Sequence, residues 1–123
     1  MQSVYQKLTE IEKSGEPAAL CVIIKTSGST PLKAGAKMIV WPDGKIFGTI
    51  GGGKLEYKVI ENAIAVLNNC TAETFVHHLV QDHQMCCGGS VHIYIETVKK
   101  INKLIIFGGG HIGKQVLHFA RTL

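Results

Sequence analysis

The most reactive pattern in the chain is Cys86-Cys87-Gly88-Gly89. Glycines allow a turn that leaves a thiol accessible, and a thiolate attacks sulfur or binds a soft metal. Cys87 directly precedes the glycine pair and is the candidate catalytic thiol and metal ligand. Cys86 is secondary, and two small buried thiols at a strand entrance are the plain alternative. Neighbouring residues rarely reach disulfide geometry, so both are taken as free thiols. Cys21 lies among Leu20, Val22 and Ile23 and is expected to be inert core, and Cys70 ends a helix. His77, His78, His83 and His92 surround the cysteine pair. On a strand His77 and His78 point to opposite faces and cannot chelate together. His78, His83 and Cys87 are one conceivable combination for zinc, with ordinary surface or hydrogen-bonded histidines as the default.

Three further segments have the chemistry of anion or cofactor binding. In Gly51-Gly52-Gly53-Lys54, consecutive glycines can aim N–H groups at an anion in front of a helix. Lys54 adds a charge, but Leu55 follows it, so the segment is not a P-loop. A demanding strand-to-helix turn is the competing reading. Thr26-Ser27-Gly28-Ser29-Thr30-Pro31 offers hydroxyls and backbone donors at the end of a buried strand, a place where ligands collect in α/β sheets. Gly108-Gly109-Gly110-His111-Ile112-Gly113 has the G-x-G-x-x-G spacing of a dinucleotide-binding turn. Gly108 would allow the tight turn, Gly110 the approach of a phosphate and Gly113 the packing of helix on strand. The acidic residue that would hold a ribose falls beyond Leu123, so tight NAD binding is not expected here.

Elements that could position these residues are legible nearby. Ser3 and Gln6 form an S-x-x-Q capping box for a helix over Val4–Ser14, which Gly15 can end. Residues 18–25 are apolar on both faces, like a covered central strand. Residues 37–41 and 45–49 flank Pro42-Asp43-Gly44, a hairpin signal. Leu55, Val59, Ile60, Ala63, Ile64 and Leu67 make the apolar stripe of a helix that Asn68-Asn69 ends. Residues 74–80 and 91–96 are expected strands, and 104–107 a short buried strand before the last glycine run.

The 123 residues, 46% hydrophobic and 18% charged, exclude a disordered or collagen-like chain. No apolar run approaches the ~20 residues of a membrane span, and the first residues lack a signal core. A cytoplasmic location and no membrane partner are therefore expected. The formal charge of +4 comes from scattered Lys and Arg. That pattern argues against nucleic acid and fits a small anionic ligand.

Four segments in order resemble the xanthine dehydrogenase accessory proteins, the XdhC/CoxI family. They are Thr26-Ser27-Gly28-Ser29-Thr30-Pro31 with Gly35-Ala36-Lys37-Met38, Gly48-Thr49-Ile50-Gly51-Gly52-Gly53 with Leu55-Glu56, Cys87-Gly88-Gly89 with the strand to Glu96, and Phe107-Gly108-Gly109-Gly110-His111. The resemblance implies an α/β fold: a mixed-sheet N-terminal domain over 1–99, then the first strand–helix unit of a truncated Rossmann-like domain over 103–123. It implies a maturation factor, or chaperone, for molybdenum hydroxylases such as xanthine dehydrogenase, rather than an independent enzyme. The cofactor it implies is molybdenum cofactor (molybdopterin), and the partners are a cysteine desulfurase and the apo molybdenum hydroxylase. Its motif cysteine falls on Cys87. Many members carry a cysteine where this chain has Lys54.

Such a cofactor suits the residues already singled out. A glycine nest at Gly51, Gly52, Gly53 and Lys54 suits phosphate, and donors of Ser27, Gly28, Ser29, Gly88 and Gly89 suit a ring edge. A soft thiolate at Cys87 suits molybdenum or its sulfur. Gly108, Gly110 and Gly113 would serve NAD only within a complete Rossmann domain. An unpaired terminal strand and an apolar helix face predict association, hence a homo-oligomer. The rivals are an NAD-linked oxidoreductase or regulatory domain and a small thiol or metal-binding module.

Overall fold

The computed structural model describes residues 1–79, 88–99 and 104–123. Local signals set the first helix. α1 (Val4–Ser14) begins at Ser3, whose hydroxyl accepts the Gln6 N–H at 3.2 Å while the Gln6 side chain accepts the Ser3 N–H at 2.8 Å. It ends at Gly15, where φ is 73° and the N–H donates to the Ile11 carbonyl at 2.8 Å. A cap of this kind contributes about 1 kcal/mol.

The strands are β1 (Ala19–Ser27), β2 (Lys37–Val40), β3 (Ile46–Gly48), β4 (Glu73–His78) and β5 (Ser90–Thr97), in the sheet order β3-β2-β1-β5-β4. β1 takes the centre because it is long and apolar enough to be flanked and covered at once. The turn between β2 and β3 follows its sequence signal. Trp41 N–H donates to the Lys45 carbonyl at 3.0 Å, and Lys45 N–H donates to Asp43 Oδ1 at 3.0 Å. That backbone donor, ahead of the Lys45 charge, holds the Asp43 carboxyl below its ordinary range.

α2 (Gly53–Asn69) covers one face of the sheet. Its Leu55, Val59, Ala63 and Val66 close a core with Cys21, Ile23, Met38, Val40, Ile93 and Ile95. Strand residues alternate between faces, so Ile39, between Met38 and Val40, points the other way. It packs there with Ile11 of α1 and Ala18, edged by Leu8, Leu20, Trp41 and Phe47. Each such large apolar side chain gains roughly 1.5–3 kcal/mol from burial. The α/β architecture is thus a helix, a sheet and a second helix in layers.

Two expectations are corrected. The described ladders are all antiparallel rather than mixed, and parallel pairing is confined to an isolated bridge between Ser29 and Gly88. Short connections such as that between β2 and β3 can only return the chain antiparallel. The buried strand expected at 104–107 is not formed. A strand needs a hydrogen-bonded neighbour, and this stretch pairs with none of the five in the sheet. Leu104, Ile105 and Phe107 are exposed. The helix expected after them does form, as α3 (His111–Ala120). One irregularity interrupts the β1–β5 ladder, a register shift between Ile23 and Lys25.

Candidate functional site

Three of the four segments singled out from the sequence meet at one end of the sheet. β1 finishes there at Ser27, β5 starts there at Ser90 opposite it, and β4 finishes there at His78. Beyond Ser27 the chain turns through Gly28, at φ 71°, and runs against Gly88 and Gly89. The approach is so close that a Cβ on Gly89 would lie 2.3 Å from the Ser29 carbonyl oxygen and 2.7 Å from that of Ser27. Any side chain at Gly89 would force two backbones apart. The Gly89 carbonyl in turn accepts the Leu79 N–H at 2.8 Å, which ties β4 into the same seam.

Pro31 connects this seam to the triple-glycine turn. A Cβ on Gly51 would stand 3.1 Å from the Pro31 Cβ, so loop and turn are in contact. Gly51, Gly52 and Gly53 all have positive φ, at 132°, 76° and 60°, and lead into α2. Ser27, Gly28, Ser29, Gly53, Lys54 and Gly88 are exposed, while Gly51, Gly52 and Gly89 are half-buried. The arrangement presents hydroxyls and backbone beside a helix N-terminus, where partial positive charge favours acidic groups.

The donors of the glycine turn face an anion from the chain itself. Glu56, one turn into α2, reaches back over them. Its Oε1 accepts the Gly52 N–H at 3.0 Å and the Ile50 N–H at 3.3 Å, and also the Thr49 hydroxyl. Thr49 Oγ1 accepts the Gly51 N–H at 3.2 Å. Sequence reasoning gave Glu56 no role. A carboxylate in the first turn of a helix that follows a glycine run is the signal that could have found it.

The fourth segment stands apart from this seam in its surroundings. A Cβ on Gly108, Gly109 or Gly110 would meet nothing within 4 Å. Gly113 is close-packed, but against its own turn, 2.8 Å from the Gly108 carbonyl oxygen. A cavity of about 280 Å³ lies beside it, lined by Leu104, Ile106, Lys114 and Leu117 among others.

Cys86, Cys87 and His83 lie outside the described residues. His77 and His78 do fall on opposite faces of β4. His77 is buried, with Nε2 2.9 Å from Asn62 Oδ1 of α2, and His78 is exposed. Among the described residues no group of three His, Cys, Asp or Glu side chains could hold a metal. Cys21 is fully buried, and burial pushes its thiol up to about 12, which removes it as a nucleophile. Cys70 is exposed and caps α2 in the left-handed conformation, with φ 53°. Among the described residues no helix is long and apolar enough to cross a membrane.

The family model described as the XdhC and CoxI family matches residues 11–78. A protein of Escherichia coli strain K12, named "Uncharacterized protein YqeB", is 30% identical over 125 residues, which cover 98% of this chain and 23% of that protein. A protein of Bacillus subtilis strain 168, described as a probable subunit of xanthine dehydrogenase, is 24% identical over 104 residues, covering 80% of this chain and 32% of its own. The crystal structure of a xanthine dehydrogenase from Bacillus halodurans superposes with a TM-score of 0.69 at 26% identity, covering 80% of this chain and 31% of that one. The chain therefore spans at most 32% of the length of these relatives.

Proposed function

The chain belongs to the XdhC and CoxI family, and from that premise we propose that it serves the maturation of a molybdenum hydroxylase of the xanthine dehydrogenase kind. In this reading it holds molybdenum cofactor as cargo at the end of the sheet, protects it while its terminal sulfur is installed, and passes it to the apo-enzyme. A cysteine desulfurase and the apo-hydroxylase are the partners. The names of two relatives, both of the xanthine dehydrogenase kind, support the association with that enzyme.

One observation carries the reading: the loop of Ser27, Gly28 and Ser29 is pressed against Gly88 and Gly89. Cys87 immediately precedes Gly88 in the sequence, so the seam joins the hydroxyl-bearing loop to the segment of the candidate thiol. The chemistry of this donor set fits the cargo in part. Ser27 and Ser29 can donate to the heteroatoms of a pterin edge, and a Cys87 thiolate can take up or hand on sulfur. The Ile50, Gly51 and Gly52 N–H groups do not fit a phosphate, because they are already satisfied by Glu56 and Thr49. These glycines shape the turn, and Gly53 and Lys54 remain on its exposed side.

The test is retention of cargo. Wild type, Cys87→Ser and Cys86→Ser are purified from cells that make the cofactor, and pterin and molybdenum are assayed, with circular dichroism as the fold control. Wild type and Cys86→Ser should retain both, and a folded Cys87→Ser should lose them. Wild-type retention by folded Cys87→Ser would remove the thiol from the mechanism, and a wild type without pterin would overturn the reading.

A further inference from the structure

The Thr49–Gly52 turn has the geometry of an anion nest, and its anion is part of the chain. Three donors, the Thr49 hydroxyl and the Ile50 and Gly52 N–H groups, converge on one oxygen of Glu56. Gly51 completes the set by donating to Thr49 Oγ1. The convergence depends on two independent features. Positive φ at Gly51, Gly52 and Gly53 turns successive N–H groups inward. α2 then brings Glu56 back over them from its first turn.

We propose that Glu56 is a specificity-determining residue, its carboxylate filling the glycine turn so that phosphate is excluded from Gly51 and Gly52. A phosphate entering the turn would have to displace the carboxylate or share its donors. Displacement forfeits charge-assisted hydrogen bonds, and sharing sets two like charges side by side in a half-buried position. An incoming ligand therefore cannot seat an acidic group in this turn. Its identity as a phosphorylated pterin rests on the function proposed above. The exclusion itself does not.

Inorganic phosphate is the probe, titrated into ¹⁵N-labelled wild type, Glu56→Gln and Glu56→Ala while the Ile50, Gly51 and Gly52 amides are followed. Wild-type amides should stay unshifted through the millimolar range. Glu56→Ala should give saturable shifts at these amides, with phosphate bound about tenfold or more tightly than by wild type, equivalent to losing one competing charged interaction. Glu56→Gln keeps the shape and drops the charge, and it carries the test if the alanine variant does not fold. Saturable shifts in wild type, or no gain in a folded neutral variant, would overturn the inference. Because the readout needs no cofactor, it stands or falls separately from the retention experiment.

Discussion

Two glycine-rich regions of this chain look alike in sequence and differ in what surrounds them. At the end of the sheet, Gly89 faces the backbone of Ser27 and Ser29, and Gly51 faces Pro31, so the missing side chains are what let segments touch. In the terminal region, Gly108, Gly109 and Gly110 face open space, and α3 buries none of its residues. The first region uses glycine to bring distant parts of the chain together, and the second is a local turn. The spacing of the glycines does not distinguish these uses. Only the sheet, which brings residues 27–31, 51–53 and 88–89 to one end, does so.

The contrast should be largest in solvent access. Cys21 lies in the core that closes the sheet region, and with its thiol pushed up to about 12 it is almost wholly protonated at pH 8. Alkylation with peptide mapping should find Cys21 modified more than about a thousandfold more slowly than exposed Cys70. Amide hydrogens of α3, whose ten residues are short of the ~12–15 that sustain an isolated helix, should exchange early. Comparable Cys21 and Cys70 rates would mean that the sheet core is open to solvent, and α3 amides protected as well as those of β1 would break the comparison. Next in size is Gly89→Ala, which sets a Cβ against two carbonyls and should cost about 3 kcal/mol by urea denaturation. An unchanged midpoint would mean that the seam is not close-packed. Smallest is Gly109→Ala, where a Cβ meets nothing, and its unfolding free energy should stay within about 0.5 kcal/mol of wild type.

What is legible in the sequence is what depends on neighbours along the chain. The Ser3 and Gln6 box, the Asp43-Gly44 turn and the stripe of Leu55, Val59 and Ala63 each report local geometry, and each is found. Ser27, Gly28, Ser29, Gly88 and Gly89 stand out separately as ligand-type residues, but nothing local brings the two groups together. Their meeting depends on β1 and β5 pairing across the intervening hairpin, helix and strand. Glu56 appears in the sequence only as part of a motif, and its role is hidden because its partners, Thr49, Ile50 and Gly52, are brought to it by positive-φ glycines that periodicity does not encode. The stretch 104–107 has the composition of a strand, and composition does not supply a pairing partner.

The register shift in β1 has a consequence for orientation. Before it, Ala19, Cys21 and Ile23 look toward α2. After it, Thr26 stands opposite Val91 and Ser27 opposite Ser90. Ile24 works as a frameshift within the strand: one residue without a partner swaps odd positions for even ones on the helix side. In an uninterrupted strand, Ser27 would follow the parity of Cys21 and turn its hydroxyl under α2. The displaced parity is what leaves that hydroxyl outside, at the rim where loop and glycine pair meet.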